Sequence, residues 1–310
     1  MGKFKNIYYV KDVNMNEKSK YELIPHLECG FLQISPTPSS DEITQFYANE
    51  FYSGEYKKFN NSSLEVQVED KEFFDGQCDD MLFNITKILK KPLTDLRILD
   101  VGCGWAQALL YFKTKGMDCY GFDPAPAAIQ YGLSKGLNVK HAGIDRMDVF
   151  GDTKFDVVML KNVLEHIANP VEVLKEIREK VLKEGGLIIL DVPNEFNVFQ
   201  TVGRDVHGLN DWWVAPPGHL NYFCNDTLVK LVKATGYKVQ ISEASFPLEM
   251  FLLFDDCYVG DSDLGRLCHK KRVNFEMNLR KAGQEDKLHE FYQALAKINL
   301  GRQVTVYALS

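Results

Sequence analysis

The stretch Arg97-Ile-Leu-Asp-Val-Gly-Cys-Gly-Trp105 limits what this chain can fold into more than any other. Ile98, Leu99 and Val101 form a short apolar run, the pattern of a strand buried on both faces of a parallel sheet. Gly102 and Gly104 follow at once, and 106–115 reads as a helix with Leu109, Leu110 and Phe112 as inward positions. Strand, glycine turn and helix make the front half of a βαβ unit. Glycine in that turn lets a ligand approach the backbone, because no side chain stands in the way. The next predicted strand is 118–122, and Asp123 ends it. An acidic residue about 20 positions after the glycine turn is the usual grip on ribose hydroxyls in such units.

Three ligands compete for the turn. A dinucleotide site asks for G-x-G-x-x-G, and Gln107 stands where the third glycine should be. A P-loop asks for G-x-x-x-x-G-K-[ST], which is absent. Asp100-Val-Gly102-Cys-Gly104-Trp-Ala106 resembles the D-x-G-x-G-x-G loop of the class I S-adenosylmethionine (SAM) methyltransferases, with alanine for the last glycine.

Composition narrows the rest. A chain of 310 residues, 45% hydrophobic and 25% charged, can bury a sizeable core as one large α/β domain with additions or as two domains. Its net charge of −7 disfavours a broad nucleic-acid footprint, which needs a basic face. No run of 18 apolar residues is found, so no membrane span is expected, and the first residues fit neither a signal peptide nor a myristoylation site. None of the seven cysteines pair as C-x-x-C, and we read them as reduced in a cytoplasmic protein. A homodimer stays open.

Residues 1–38 read as irregular, followed by a tyrosine-rich helix from 39 to about 49 and a second helical stretch over about 64–90. Further predicted elements are a helix over 125–135, strands at 138–141, 155–160 and 187–192, and a helix from Asn169-Pro170 to about 182. Gly185-Gly186 is expected to stop that last helix. Asn225 and Asp226 are expected to cap a helix to about 235, followed by strand 237–242. An amphipathic helix over 275–297 and a final strand 303–308 complete the reading.

Phe155-Asp156, Leu164-Glu-His166 and Lys183-Glu-Gly-Gly186 resemble later motifs of the same family, in its order and spacing. The resemblance implies an α/β fold with a Rossmann-like, seven-stranded, mostly parallel sheet. It divides the chain into an amino-terminal cap (1–92), with a helical segment, and a SAM-binding domain (93–310). That domain carries insertions at about 193–224 and, before the last strand, 247–300. The front of the chain is similar to sugar-modifying and polysaccharide-precursor methyltransferases that begin with a zinc module. Only Cys29 of such a module remains, His26 reads as a turn residue, and no metal is expected.

The resemblance assigns the cofactor to Asp100, Gly102, Gly104, Trp105, Asp123 and Pro124, with Ile144 and Asp145 at the adenine and Lys161 and Asn162 after strand 155–160. The sulfonium is a cation and suits aromatic faces, at about 0.5–2 kcal/mol per ring. Tyr47, Tyr52, Trp105 and Trp213 are the candidates. A hydroxyl acceptor also needs a base. His219, in Pro217-Gly-His-Leu-Asn-Tyr-Phe223, is the first candidate and His166 the second, though His166 could instead order the cofactor loop. Trp213, Asn221 and Tyr222 are expected to touch the substrate. The expected acceptor is a small polar molecule, a hydroxyl of a sugar or sugar nucleotide in surface-polysaccharide synthesis. A SAM-binding regulatory protein and a methyltransferase of macromolecules are the alternatives.

Overall fold

The computed structural model describes residues 8–11, 18–39, 42 and 64–310. Its first elements are β1 (Tyr8–Lys11), β2 (Lys18–Pro25), β3 (Leu32–Ser35), α1 (Leu64–Glu69) and α2 (Lys71–Leu89). Then come β4 (Arg97–Val101), α3 (Gln107–Thr114), β5 (Asp118–Asp123), α4 (Pro126–Ser134), β6 (Asn138–His141), β7 (Phe155–Lys161) and α5 (Pro170–Glu176). The rest are β8 (Leu182–Pro193), α6 (Val198–His207), β9 (Asn221–Tyr222), α7 (Asn225–Ala234), β10 (Lys238–Ala244), α8 (Met250–Leu253), α9 (Ser262–Lys281), α10 (Glu285–Lys297) and β11 (Gln303–Leu309).

The central strands are apolar throughout because both faces of the sheet meet side chains. Successive strand residues point to opposite faces. Ile98, Val157, Met159, Leu187 and Ile189 enter a core with Met81, Leu82 and Ile85 of α2 and Leu109 and Phe112 of α3. Leu99, Val158, Leu160, Ile188 and Leu190 enter the opposite core with Leu174 of α5 and Leu228, Leu231 and Val232 of α7. Each such aliphatic side chain, fully buried, contributes about 1.5–3 kcal/mol.

The seven-stranded sheet runs β10-β11-β8-β7-β4-β5-β6. β4 pairs in parallel with β5 and β7, β5 with β6 and β7 with β8, while β11 is antiparallel to both β8 and β10. The expected Rossmann-like sheet is therefore present. The strand order turns around beside β4, which opens a crevice outside the carboxyl ends of β4 and β7. Among the described residues, no helix is long and apolar enough to cross a membrane.

Several local expectations need correction. The front of the chain is not irregular: β1, β2 and β3 form an antiparallel sheet whose fourth strand is β9, from the 193–224 insertion. Tyr21, Leu23, Ile34, Trp213, Leu220 and Tyr222 share its core. His26 lies in the β2–β3 turn, stacked on Phe31 at 4.6 Å between centroids. Gly185-Gly186 does not end the helix. One π-helical turn, Ile177–Val181, ends it, and Leu182 already pairs with Phe155. Pairing resumes between Val157 and Leu187, so the glycines form a bulge inside β8, with Gly185 at φ +67°. The cap of α7 is Cys224, whose backbone N–H donates to Thr227 Oγ1 at 3.0 Å, not Asn225 or Asp226. The long helix over 275–297 is two helices, α9 and α10, with Gly283 at φ +64° between them.

Candidate active site

The glycine turn is tied to the end of β5. Gly102 and Cys103 N–H both donate to Phe122 O, at 2.9 and 3.1 Å, and Gly104 N–H donates to Asp123 Oδ2 at 2.8 Å. The other carboxylate oxygen of Asp123 accepts from Ala125 N–H at 2.8 Å. A carboxylate has about four acceptor sites, so two remain for a ligand's hydroxyls. Burial pushes the Asp123 carboxyl up, against the opposing pull of those two N–H donors.

Gly102 and Gly104 do different work. A Cβ on Gly102 would lie 2.5 Å from Val163 Cγ2, so Gly102 permits packing of the loop. A Cβ on Gly104 would meet no described atom within 4 Å, which leaves its backbone open to a ligand. Ala106 sits at φ +55°, a left-handed conformation that costs a non-glycine residue roughly 1–2 kcal/mol. That conformation accounts for the glycine usual at this place in the motif. Trp105 is half-buried, edge-on to Tyr131 at 5.9 Å. An open backbone at Gly104 beside a carboxylate with spare acceptor sites fits the ribose of SAM.

Behind the turn lies a buried charge cluster. Asp100, 4% exposed, is pushed up to about 8 by burial and by Asp123, against Lys161. Asp191 on β8 is raised by burial and opposed by the same lysine. Lys161 Nζ donates to Gln77 Oε1 of α2 at 2.9 Å, a partner the sequence reading missed. Asn162, at φ +54°, accepts on Oδ1 from Gln303 Nε2 at 2.9 Å and so ties β7 to β11. Pro124 is exposed, and its carbonyl contacts His141 Nε2 at 2.9 Å. Ile144 packs at the edge of the core, and Asp145 is exposed beside it.

His166 and His219 come together, with ring centroids 5.0 Å apart and edge-on. His166 Nδ1 lies 2.7 Å from Gly218 O. A carbonyl only accepts, so Nδ1 carries the proton and Nε2 the lone pair. His219 Nδ1 is 3.4 Å from Glu195 Oε1, outside good hydrogen-bond geometry. Glu165 Oε1 is 3.7 Å from His166 Nε2. Burial drives this group of four toward its uncharged forms. It lowers His166 to about 3, with His219 adding to the shift, and lowers His219 to about 4, with Arg302 adding. It raises Glu165 and Glu195 well above the carboxylate range. Glu165, His166 and His219 also offer ligand atoms within 4.8 Å of one another, a convergence that spacing alone did not reveal.

The three expected substrate contacts are framework instead. Asn221 is fully buried; its Nδ2 donates to Leu164 O and Ile167 O at 3.1 and 2.7 Å, and its Oδ1 accepts from Gln33 Nε2 at 2.9 Å. Tyr222 is 2% exposed, with its hydroxyl accepting from Ala215 N–H and donating to His219 O. Trp213 is 4% exposed against Phe196 and Trp212. Together they hold the loop that carries His219. Tyr47 and Tyr52 lie outside the described residues. Glu195 was missed because nothing near it in sequence marks it. A cavity of about 750 Å³ between α2, α9 and α10 contains none of the residues expected from the sequence.

Known proteins resemble this arrangement. The profile of a family described as a methyltransferase domain matches residues 77–241, just over half of the chain. A ubiquinone biosynthesis O-methyltransferase of Cereibacter sphaeroides (strain ATCC 17025 / ATH 2.4.3) is 33% identical over 108 residues, 33% of this chain and 43% of that protein. Its namesake in Roseobacter denitrificans is 34% identical over 110 residues, 34% of this chain and 44% of that protein. The chain thus spans less than half the length of the curated relatives it matches. The plantazolicin methyltransferase BpumL, solved in complex with SAH, superposes with a TM-score of 0.52 at 16% identity, over 87% of this chain and 98% of that one. A SAM-dependent methyltransferase from Archaeoglobus fulgidus gives 0.51 at 18% identity, over 80% and 100%. Such low identities speak for the fold, while the family match rests on the sequence itself. The chain belongs to the methyltransferase-domain family.

Proposed function

We propose that this chain is a SAM-dependent O-methyltransferase acting on a small-molecule hydroxyl. The observation that carries the reading is one juxtaposition. The glycine turn with Asp123 and the His166–His219 pair stand at the same carboxyl edge of the sheet, on either side of the strand-order reversal. SAM, when bound, supplies a methyl group on a cationic sulfur with a good leaving group. The chain's own residues have three tasks. Asp123 and the Gly104 backbone hold the nucleoside. The insertion around β9 shuts out water and presents His219. His219 accepts the acceptor's proton, and Tyr222, whose hydroxyl donates to the His219 carbonyl, helps hold the residue in place. A base lowered to about 4 is weaker than ordinary imidazole, yet it is uncharged at neutral pH and its lone pair is available.

The name of the relatives in ubiquinone biosynthesis supports oxygen as the accepting atom. It does not favour the sugar or sugar-nucleotide hydroxyl that the sequence suggested, and we keep that substrate as the narrower proposal, with a cytoplasmic location. The test is transfer of labelled methyl from SAM to two panels, nucleotide sugars and catechols. Label on a sugar hydroxyl supports the narrower proposal, and label on a catechol replaces it. Absence of SAM binding by calorimetry would overturn the whole reading.

A further inference from the structure

Arg302 follows the 247–300 insertion directly and precedes β11. Arg302 stands at the carboxyl edge: its carbonyl accepts from Asn194 N–H at 3.0 Å, and the next residue, Glu195, approaches His219. Its side chain is held from behind. Nη1 donates to Glu249 Oε1 at 2.7 Å, and Glu249 is completely buried. The side chain nonetheless remains 37% exposed, and among the described residues its guanidinium makes no other hydrogen bond. Two more polar groups of the same insertion, Tyr258 OH and Arg272 Nε, are buried without a hydrogen-bond partner among the described residues. The charge of Arg302 is felt at Tyr258, Arg272, Glu195 and His219 alike. An arginine fork with open donors matches the geometry of a carboxylate or phosphate, and the insertion that leads into it holds two further unpartnered buried donors.

We propose that Arg302, held by Glu249, docks an anionic group of the methyl acceptor, a phosphate or a carboxylate, and so fixes which hydroxyl faces His219. The cofactor's own carboxylate is a poorer fit. The glycine turn leaves β4, and β11 lies three strands away, about 14 Å at ~4.8 Å per strand. The inference rests on the methyl-transfer reading and names the substrate class of that same site.

The test is calorimetry on the full chain saturated with S-adenosylhomocysteine. The probes are two matched pairs: glucose 1-phosphate against glucose, and benzoate against benzyl alcohol. The expected result is that one charged probe binds at least about tenfold more tightly than its neutral partner. Which pair discriminates tells phosphate from carboxylate. Arg302→Gln should abolish the preference, Arg302→Lys should retain part of it, and the S-adenosylhomocysteine affinity should not move. Arg302→Gln leaves Glu249 buried without its cation and could unfold the chain. The double variant Arg302→Gln/Glu249→Gln removes both charges and gives the same readout. Equal binding within both pairs overturns the proposal, as does a preference that survives the loss of Arg302. Loss of S-adenosylhomocysteine affinity in Arg302→Gln also overturns it, by giving the arginine to the cofactor. Failure of the unaltered chain to bind S-adenosylhomocysteine would strike the methyl-transfer reading instead.

Discussion

The two halves of the carboxyl edge recognise their ligands by different means. On the β4–β6 side, the chain turns tightly and offers backbone N–H groups and one strand-end carboxylate. On the β8–β11 side, the loop after β7, two long excursions and the approach to β11 deliver side chains from far apart in sequence: His166, Glu195, His219, Glu249 and Arg302. Backbone recognition needs a particular turn, and a turn is written in consecutive residues. Side-chain recognition needs only that distant segments meet. The first half is suited to one constant ligand, the second to whatever acceptor its insertions were shaped for.

The sharpest way to break this contrast is His219→Ala. If the acceptor half does the chemistry, turnover should fall by about 10²–10⁴ with SAM affinity nearly unchanged. His166→Ala should disturb SAM affinity more, because His166 lies in the loop that follows β7 and its ring, bonded to the Gly218 carbonyl, fixes that loop. Steady-state rates and calorimetry on both variants separate the two. Full turnover in His219→Ala with loss in His166→Ala would exchange their roles.

A pH titration tests the cofactor half. Asp100 has a folded value of about 8, above the roughly 3.9 of an unfolded aspartate. Its contribution to stability is therefore fully present below about pH 4 and is lost as pH rises through about 8. The groups acting on it are Asp123, which adds to the rise, and Lys161, which opposes it. Asp100→Asn cannot ionise and should flatten this loss, worth a few kcal/mol. Melting temperatures compared at about pH 5 and about pH 9 should converge in the variant. An unchanged slope would assign the alkaline loss to other groups.

Asp123→Ala comes next in size. Charged hydrogen bonds to ribose are worth roughly 1.5–3 kcal/mol, so SAM should bind about 10- to 100-fold more weakly while the fold persists. The same change also frees Gly104 N–H from its anchor, which should raise the exchange rate of that amide. An unchanged dissociation constant would leave Asp123 as a strand-end cap only.

How much of this was legible follows the same division. The apolar runs of β4, β7 and β8 and the Gly102–Gly104 turn carry their conformation locally; the seven-stranded sheet came from the family resemblance, and its strand order only from the structure. β2 and β3 were missed although Tyr21, Leu23 and Ile34 point inward. Their runs are short, and the partner strand β9 arrives from the other end of the chain, as the Gln33–Asn221 bond illustrates. Gly185-Gly186 looked like a helix stop because glycine serves equally in a strand bulge. Asn221, Tyr222 and Trp213 looked like contacts because polar and aromatic residues in an insertion suggest a ligand. Burial turned them into the frame around His219. Glu195 and Arg302 had no local signature, since only the antiparallel pairing of β8 with β11 brings them together.

The smallest expected effect is at Asp145, and it sharpens the contrast best. The resemblance assigns this residue to the adenine amine, while its side chain is exposed in a turn after β6. The neighbouring carboxylate, Asp148, accepts from Arg146 Nε at 3.0 Å and is engaged there. A solvent-facing hydrogen bond is worth about 0.5–1.5 kcal/mol net. Asp145→Ala should therefore weaken SAM by about tenfold at most, less than Asp123→Ala, with no change in melting temperature. A double-mutant cycle with Asp123→Ala should be additive, because the two carboxylates would grip opposite ends of the nucleoside. If the loss at Asp145 instead equals or exceeds that at Asp123, the cofactor half also depends on an exposed side chain in a loop. Backbone against side chain would then no longer be what divides the two halves of the edge.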